Sequence, residues 1–299
     1  MFKNILVPLD GSRLSEASLD SAAVLAQQLK SPVVLLHVIE QDAPTEVHKE
    51  HHLTTPDEAE AYLKSVAARA FPSGVKVETH VHSAPVSDVA RSIVEHATNE
   101  FKPDLIVTCT HGRSGVRDAL FGSIAQQIVT QGNTPLLLIK PGPAPFQLRK
   151  ILVPLDPDSI HDDGLPPAES LADSFHAEMH LLSVVPTFST LVGEQAATSS
   201  LMPATTQAML NLREENAVAH LKEHVTALNA KGIRAIAEVA RGDPATTIMK
   251  SAEASHANLI ILSTHRKAGI DAFWAHSVAP QVAQRTRTPL LLIPLPQST

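Results

Sequence analysis

The stretch DLIVTCTHGRSGVRDALFGSIAQQIVTQGNTPLLLIK, Asp104 to Lys140, decides the fold. It opens with Leu105-Ile106-Val107, an apolar run too short for a helix and bounded by polar residues, which reads as a buried strand. A loop carrying Gly112, Gly115 and Gly122 follows, closed by Ser123. Ala125, Ile128 and Val129 then recur at helical spacing, Gly132-Asn133 breaks the chain, and Pro135 to Ile139 gives a second buried strand. A glycine-bearing loop running from a strand tip into a helix start suits a phosphate. Glycines let the backbone come close, and the N–H groups at the helix start donate to anionic oxygens.

Outward from this stretch the same alternation continues. Toward the N-terminus, Lys3 to Leu9 reads as a strand that Asp10-Gly11-Ser12 turns into a helix with Ala22, Leu25, Ala26 and Leu29 on one face. Val33 to Val38 is a strand, and the histidine-bearing segment with His48, His51 and His52 reads as a solvated polar loop. A helix with Leu63, Val66, Ala67 and Ala70 follows, then a half-wet strand over Val75 to Val81 and a helix with Val86, Val89, Ile93 and Ala97 in register. Strands alternating with helices imply a parallel sheet covered on both faces, whose ligands bind beyond the carboxyl ends of the strands.

Beyond the proline-rich linker Lys140 to Phe146 the pattern repeats. ILVPLD recurs at Ile151 to Asp156, NLIILSTH (Asn258 to His265) copies DLIVTCTH, and TPLLLIP (Thr288 to Pro294) copies TPLLLIK. The step from Asp10 to Asp156 is 146 residues and that from His111 to His265 is 154, so the second copy has gained eight. The gain is expected in a loop over Pro186 to Thr206. The expected domains are residues 1–141 and 147–299, products of a tandem duplication.

Thr110-His111-Gly112, nine residues, then Gly122-Ser123 resembles the nucleotide signature of the universal stress protein family, Gly-x-x-Gly, nine residues, Gly-Ser/Thr. Cys109 stands where that pattern has its first glycine. The resemblance covers nearly the whole chain. It implies an α/β fold of two tandem Rossmann-like domains, each a five-stranded parallel sheet in the order 3-2-1-4-5. It also implies ATP with Mg2+ in the first. By the same resemblance Pro8, Leu9 and Asp10 would border adenine and ribose, with Asp10 on ribose hydroxyls or the magnesium. Val38 would pack on the base, and Thr108 and Cys109 would close the nucleoside. Gly112, Gly115, Gly122, Ser123, Ile124 and Ala125 would hold the phosphates, helped by Arg113 or Arg117 in the absence of a Walker lysine. In the second copy Arg266 and His276 replace the two glycines, while Ser277, Gly269 and Asp156 persist and Phe273-Trp274 adds bulk. That loop reads as decayed, or as rebuilt around Arg266, Lys267 and His276 for another anion.

The chain has 299 residues, 43% hydrophobic and 18% charged, enough for two globular domains. A net charge of −7 spread over both halves offers nothing to nucleic acid or an anionic membrane. One cysteine excludes an intrachain disulfide, and no apolar run approaches a membrane span, so a soluble cytoplasmic protein is expected.

Other candidates carry bland readings. Cys109 at a strand end could favour thiolate, yet cysteine is among the most buried residue types. His37 and His111 flank the expected crevice without a nucleophile beside them. His220-Leu-Lys-Glu-His224 matches the H-x-x-E-H zinc pattern. Ala217, Leu221, Val225 and Leu228 make that helix's buried stripe, so the histidines are expected to meet solvent, and no third ligand is evident. The functional expectation is a nucleotide-dependent regulator of the stress response. A slow ATPase or a scaffold without nucleotide stands as the alternative. The last strand of each copy would lie at a sheet edge. The two edges are therefore expected to meet antiparallel as an intrachain pseudo-dimer, leaving a homodimer to other faces.

Overall fold

The structure is a computed structural model of the chain. It describes residues 1–42, 46–47, 50–110, 123–142, 145–156, 159–191, 193–264 and 278–295. The first copy contains β1 (Ile5–Pro8), α1 (Arg13–Glu16), α2 (Leu19–Leu29), β2 (Val33–Glu40), a small hairpin β3 (Glu46–Val47) and β4 (Glu50–His51), and α3 (Pro56–Ala70). It continues with β5 (Val77–Val86), α4 (Val89–His96), a π-helical turn (Ala97–Phe101), β6 (Leu105–Cys109), α5 (Ser123–Gln131) and β7 (Leu136–Ile139). The second contains β8 (Lys150–Leu155), a 3-10 turn (Ser159–Gly164), α6 (Leu165–Phe175), β9 (Glu178–Val185), α7 (Glu194–Leu201), α8 (Pro203–Ala230), β10 (Ala235–Arg241), α9 (Pro244–Ala254), β11 (Leu259–Thr264), the helix Val278–Arg285 and β12 (Leu290–Pro294).

The chain forms two compact units. One gathers Met1–Gln147 with later segments that include β12; the other gathers Leu148–Ser263 and Val278–Thr288. In the first unit the sheet runs β12-β7-β6-β1-β2-β5. Its five first-copy strands keep the expected 3-2-1-4-5 order, and each pair is parallel. β12 then lies antiparallel to β7, with Leu290, Leu291 and Leu292 opposite Leu138, Leu137 and Leu136. The compact units therefore depart from the sequence halves: the fifth strand of the second copy belongs with the first unit. The physical reason is at the side of β7 away from β6, whose N–H and C=O groups β12 pairs. In the second unit the strands run β10-β9-β8-β11, all parallel.

The duplication holds down to single bonds. β1 meets β6 at Ile5↔Leu105 and Leu6↔Ile106, and β8 meets β11 at Ile151↔Leu259 and Leu152↔Ile260. Below the first pair, the Asp104 carboxylate accepts from the N–H groups of Lys3 and Asn4 at 2.7 and 3.0 Å. Below the second, the Asn258 side-chain oxygen accepts from those of Arg149 and Lys150, each at 3.0 Å. Asp88 caps α4 by accepting from Arg91 N–H at 2.9 Å, and Asp243 caps α9 by accepting from Thr246 N–H at the same distance. Such a cap contributes about 1 kcal/mol to its helix.

Several expected boundaries move. The first helix is broken at Ala17-Ser18 into α1 and α2. β5 runs on through Ser83-Ala84-Pro85 to Val86, because an edge strand tolerates proline, and Val86 therefore lies outside α4. The segment expected as an added loop over Pro186 to Thr206 instead holds a 3-10 turn, α7 and the first turn of α8.

Candidate functional site

The parallel pairing of β1 with β6 brings their carboxyl ends side by side, at the point where strand order reverses. Leu9 N–H still donates to Leu36 O at 2.9 Å, and the chain leaves the sheet at Asp10. The Asp10 carboxylate accepts from Ser12 N–H at 2.9 Å and from the Ser12 hydroxyl at 2.6 Å. Ser12 Oγ in turn accepts from Ser15 N–H and caps α1. Gly11 sits between them at φ +89°, and a Cβ there would come 2.9 Å from Leu53 Cγ and Cδ1. Only glycine meets both demands. The Asp10 carboxylate is thus fixed at the strand end rather than free to swing.

The facing wall is the end of β6, against which α1 packs. Thr108 and Cys109 are half-buried there, and Thr110 N–H closes the strand by donating to Ile139 O at 2.8 Å. Burial, and then the charge of Asp10, push the Cys109 thiol up to about 12. The second cause places Cys109 within electrostatic reach of Asp10, and the shift keeps the sulfur protonated. Cys109 is a small, half-buried residue at the end of β6. Pro8 is half-buried, whereas Leu9, Val38 and Ala125 are buried and support the crevice by packing. Ile124 is 39% exposed at the start of α5, the helix that Ser123 opens. Gly112, Gly115 and Gly122, with His111, Arg113 and Arg117, lie outside the described residues.

His37 is a packing residue and not a candidate base. It is 1% exposed, and its Nδ1–H donates to Leu9 O at 2.8 Å, which leaves Nε2 as the bare lone pair. That nitrogen is buried and has no partner among the described residues. Burial lowers the pKa of His37, so the neutral ring persists. The solvated-loop reading also fails in part, since His52 is 5% exposed beside the buried Leu53, while His51 is exposed and lies 3.7 Å from Glu58. Leu53 joins Ile39 and Ala59 in a small apolar cluster, which draws its neighbour inward.

The second copy differs at the same corner. Asp156 is exposed where Asp10 is half-buried, and Pro157 and Asp158 occupy the positions of Gly11 and Ser12. Proline cannot adopt the φ of +89° that Gly11 takes, and residues 157 and 158 lie outside the described residues. Arg266, Lys267, Gly269, Phe273, Trp274, His276 and Ser277 lie outside the described residues. His220 and His224 do not simply meet solvent: both are half-buried and both reach Asp162. Asp162 is 58 residues from His220 in sequence, and no local pattern announces it.

The described part of the first-copy corner fits a magnesium nucleotide. A fixed carboxylate stands at one strand end and a small protonated side chain at the other, and Ser123 opens α5 after β6 in the same copy. No helix among the described residues is long and apolar enough to cross a membrane. Comparison with known proteins agrees with this architecture. The chain is 29% identical over 146 residues to universal stress protein MJ0531 of Methanocaldococcus jannaschii, a match covering 47% of this chain and 83% of that one. It is 27% identical over 153 residues to universal stress protein YxiE of Bacillus subtilis, covering 47% of this chain and all of that one. The crystal structure of a universal stress protein from Archaeoglobus fulgidus superposes at a TM-score of 0.71 with 18% identity, covering 97% of this chain and 96% of that one. The family model for universal stress proteins matches twice, over residues 1–140 and 147–294, so the chain that repeats its strands, caps and brackets belongs to the universal stress protein family.

Proposed function

We propose that the first copy binds ATP with magnesium and that the chain acts in the cytoplasm as a nucleotide-dependent regulator of the stress response. What supports this most is the corner at the strand-order reversal, where Asp10, held by Ser12, stands at the carboxyl end of β1 beside that of β6. Asp10 would take the ribose hydroxyls or the magnesium, and the backbone of Pro8, Leu9 and Val38 would border the base. Thr108 and Cys109 would close the other side. Gly112, Gly115, Gly122, Ser123, Ile124 and Ala125 would carry the phosphates through N–H groups and the serine hydroxyl. Magnesium supplies the positive charge that a P-loop lysine provides elsewhere. Pro157 and Asp158 in place of Gly11 and Ser12 support leaving the second copy without nucleotide. The antiparallel pairing of β7 with β12 supports reading the two sequence copies as an intrachain pseudo-dimer, with any homodimer using other faces.

The test is calorimetry with Gly122→Val, whose branched side chain would fill the phosphate path. ATP binding should be lost while circular dichroism stays native. Unchanged affinity would remove this loop from the site, and steady release of ADP by the wild type would turn the regulator into a slow ATPase.

A further inference from the structure

Asp162, on the 3-10 turn after β8, and His220 and His224, one turn apart on α8, bring three ligand atoms to one point in the second unit. His220 Nε2 lies 3.2 Å from Asp162 Oδ1, and His224 Nε2 lies 3.1 Å from Oδ2. The two Nε2 atoms are 3.3 Å apart. The side chains are 15%, 26% and 24% exposed for His220, His224 and Asp162, so the point is sheltered but reachable.

Counting protons shows what the cluster wants. If both rings carry hydrogen on Nε2, two N–H dipoles converge on one carboxylate. If one ring does not, its lone pair faces the carboxylate oxygens at close range. A single divalent cation satisfies all three lone pairs together. The spacing agrees: a tetrahedral ion with bonds of about 2.0–2.1 Å holds its ligand atoms about 3.3–3.4 Å apart. We propose that Asp162, His220 and His224 bind a zinc-class divalent cation that ties the turn after β8 to α8. Two neutral imidazoles and one carboxylate suit Zn2+ and its neighbours in the first transition row, and not Mg2+ or Ca2+, which take oxygen ligands. A fourth position remains for water. Glu223, the acid of the H-x-x-E-H pattern, is exposed and is not among the converging groups, so the site is a clamp and not a hydrolytic centre.

A second group, His80, His96 and Glu100, is different in kind. His96 uses both ring nitrogens there, Nδ1 at 2.7 Å from Glu100 and Nε2 at 2.9 Å from His82, which makes a hydrogen-bond chain.

The experiment is calorimetric titration of Zn2+ into the full chain after stripping with a chelator, with Co2+ absorption reporting geometry. One ion per chain with tetrahedral Co2+ bands is expected. Asp162→Asn and His224→Ala should each weaken binding by about 100-fold or more, at least the cost of removing a partner one shell further out. Asp162→Asn keeps the side chain's shape, so it tests the site even if His224→Ala fails to fold. Glu223→Gln and His96→Ala should leave affinity unchanged. No saturable binding, or binding insensitive to Asp162→Asn, would overturn the proposal. Loss in His96→Ala with Asp162→Asn intact would overturn it too, moving the ion to the other cluster.

Discussion

His37 shows how a single buried ring ties stability to pH. Its folded pKa is lowered by burial, so between that value and its ordinary one the unfolded chain binds more protons than the folded chain. Stability therefore rises with pH through this window and falls as pH drops below about 6.5. His80 and His180 are lowered by the same cause and add to the slope. His37→Asn keeps a side-chain N–H for Leu9 O and removes the titration. The drop in Tm from pH 7 to pH 5 should shrink in this variant. An unchanged pH slope would show that His37 does not charge on unfolding. Cys109 illustrates the reverse sign: its raised pKa gives stability that is full at neutral pH and lost as pH climbs toward about 12. The turn at Asp10 was legible in the sequence because an apolar strand ends there before Gly-Ser. The role of Leu53 was not, because nothing nearby in sequence says that Gly11 needs a cover.

Among the elements, the central strands were the easiest to read. β1, β2, β6 and β7 are buried on both faces, so their sequences are nearly unbroken apolar runs. Edge elements were harder. β5 carries polar residues and Pro85, and its ladder to β2 shifts register between Val38 and Glu40, so its end looked like a loop. α7 has no strong apolar stripe and reads as a tract of small residues. The β7–β12 pair follows from edge chemistry and carries a prediction of its own. Leu137 and Leu291 face each other across the antiparallel ladder and are 2% and 1% exposed. Leu137→Ala and Leu291→Ala should each cost about 2–5 kcal/mol. A double-mutant cycle by urea unfolding should give a coupling of about 0.5–3 kcal/mol. Additive losses would mean that the two strands do not pack against each other in solution.

At the scale of the whole chain, duplication gave two copies of one bonding plan and then released one of them. The brackets at Asp104 and Asn258 and the caps at Asp88 and Asp243 were kept, because each copy needs them to fold. The corner was not kept: Gly11 and Ser12 became Pro157 and Asp158, and Gly112 and Gly122 became Arg266 and His276. The candidate site shows in the sequence as an asymmetry between repeats, while the Asp162 cluster, assembled from distant residues, had no sequence trace beyond its histidine pair. The proposed function requires that nucleotide binding rest in the first copy alone. Titrating ATP with magnesium into nucleotide-free chain by calorimetry tests it most directly. The expected result is one ATP per chain; a stoichiometry of two, or no binding at all, would contradict it.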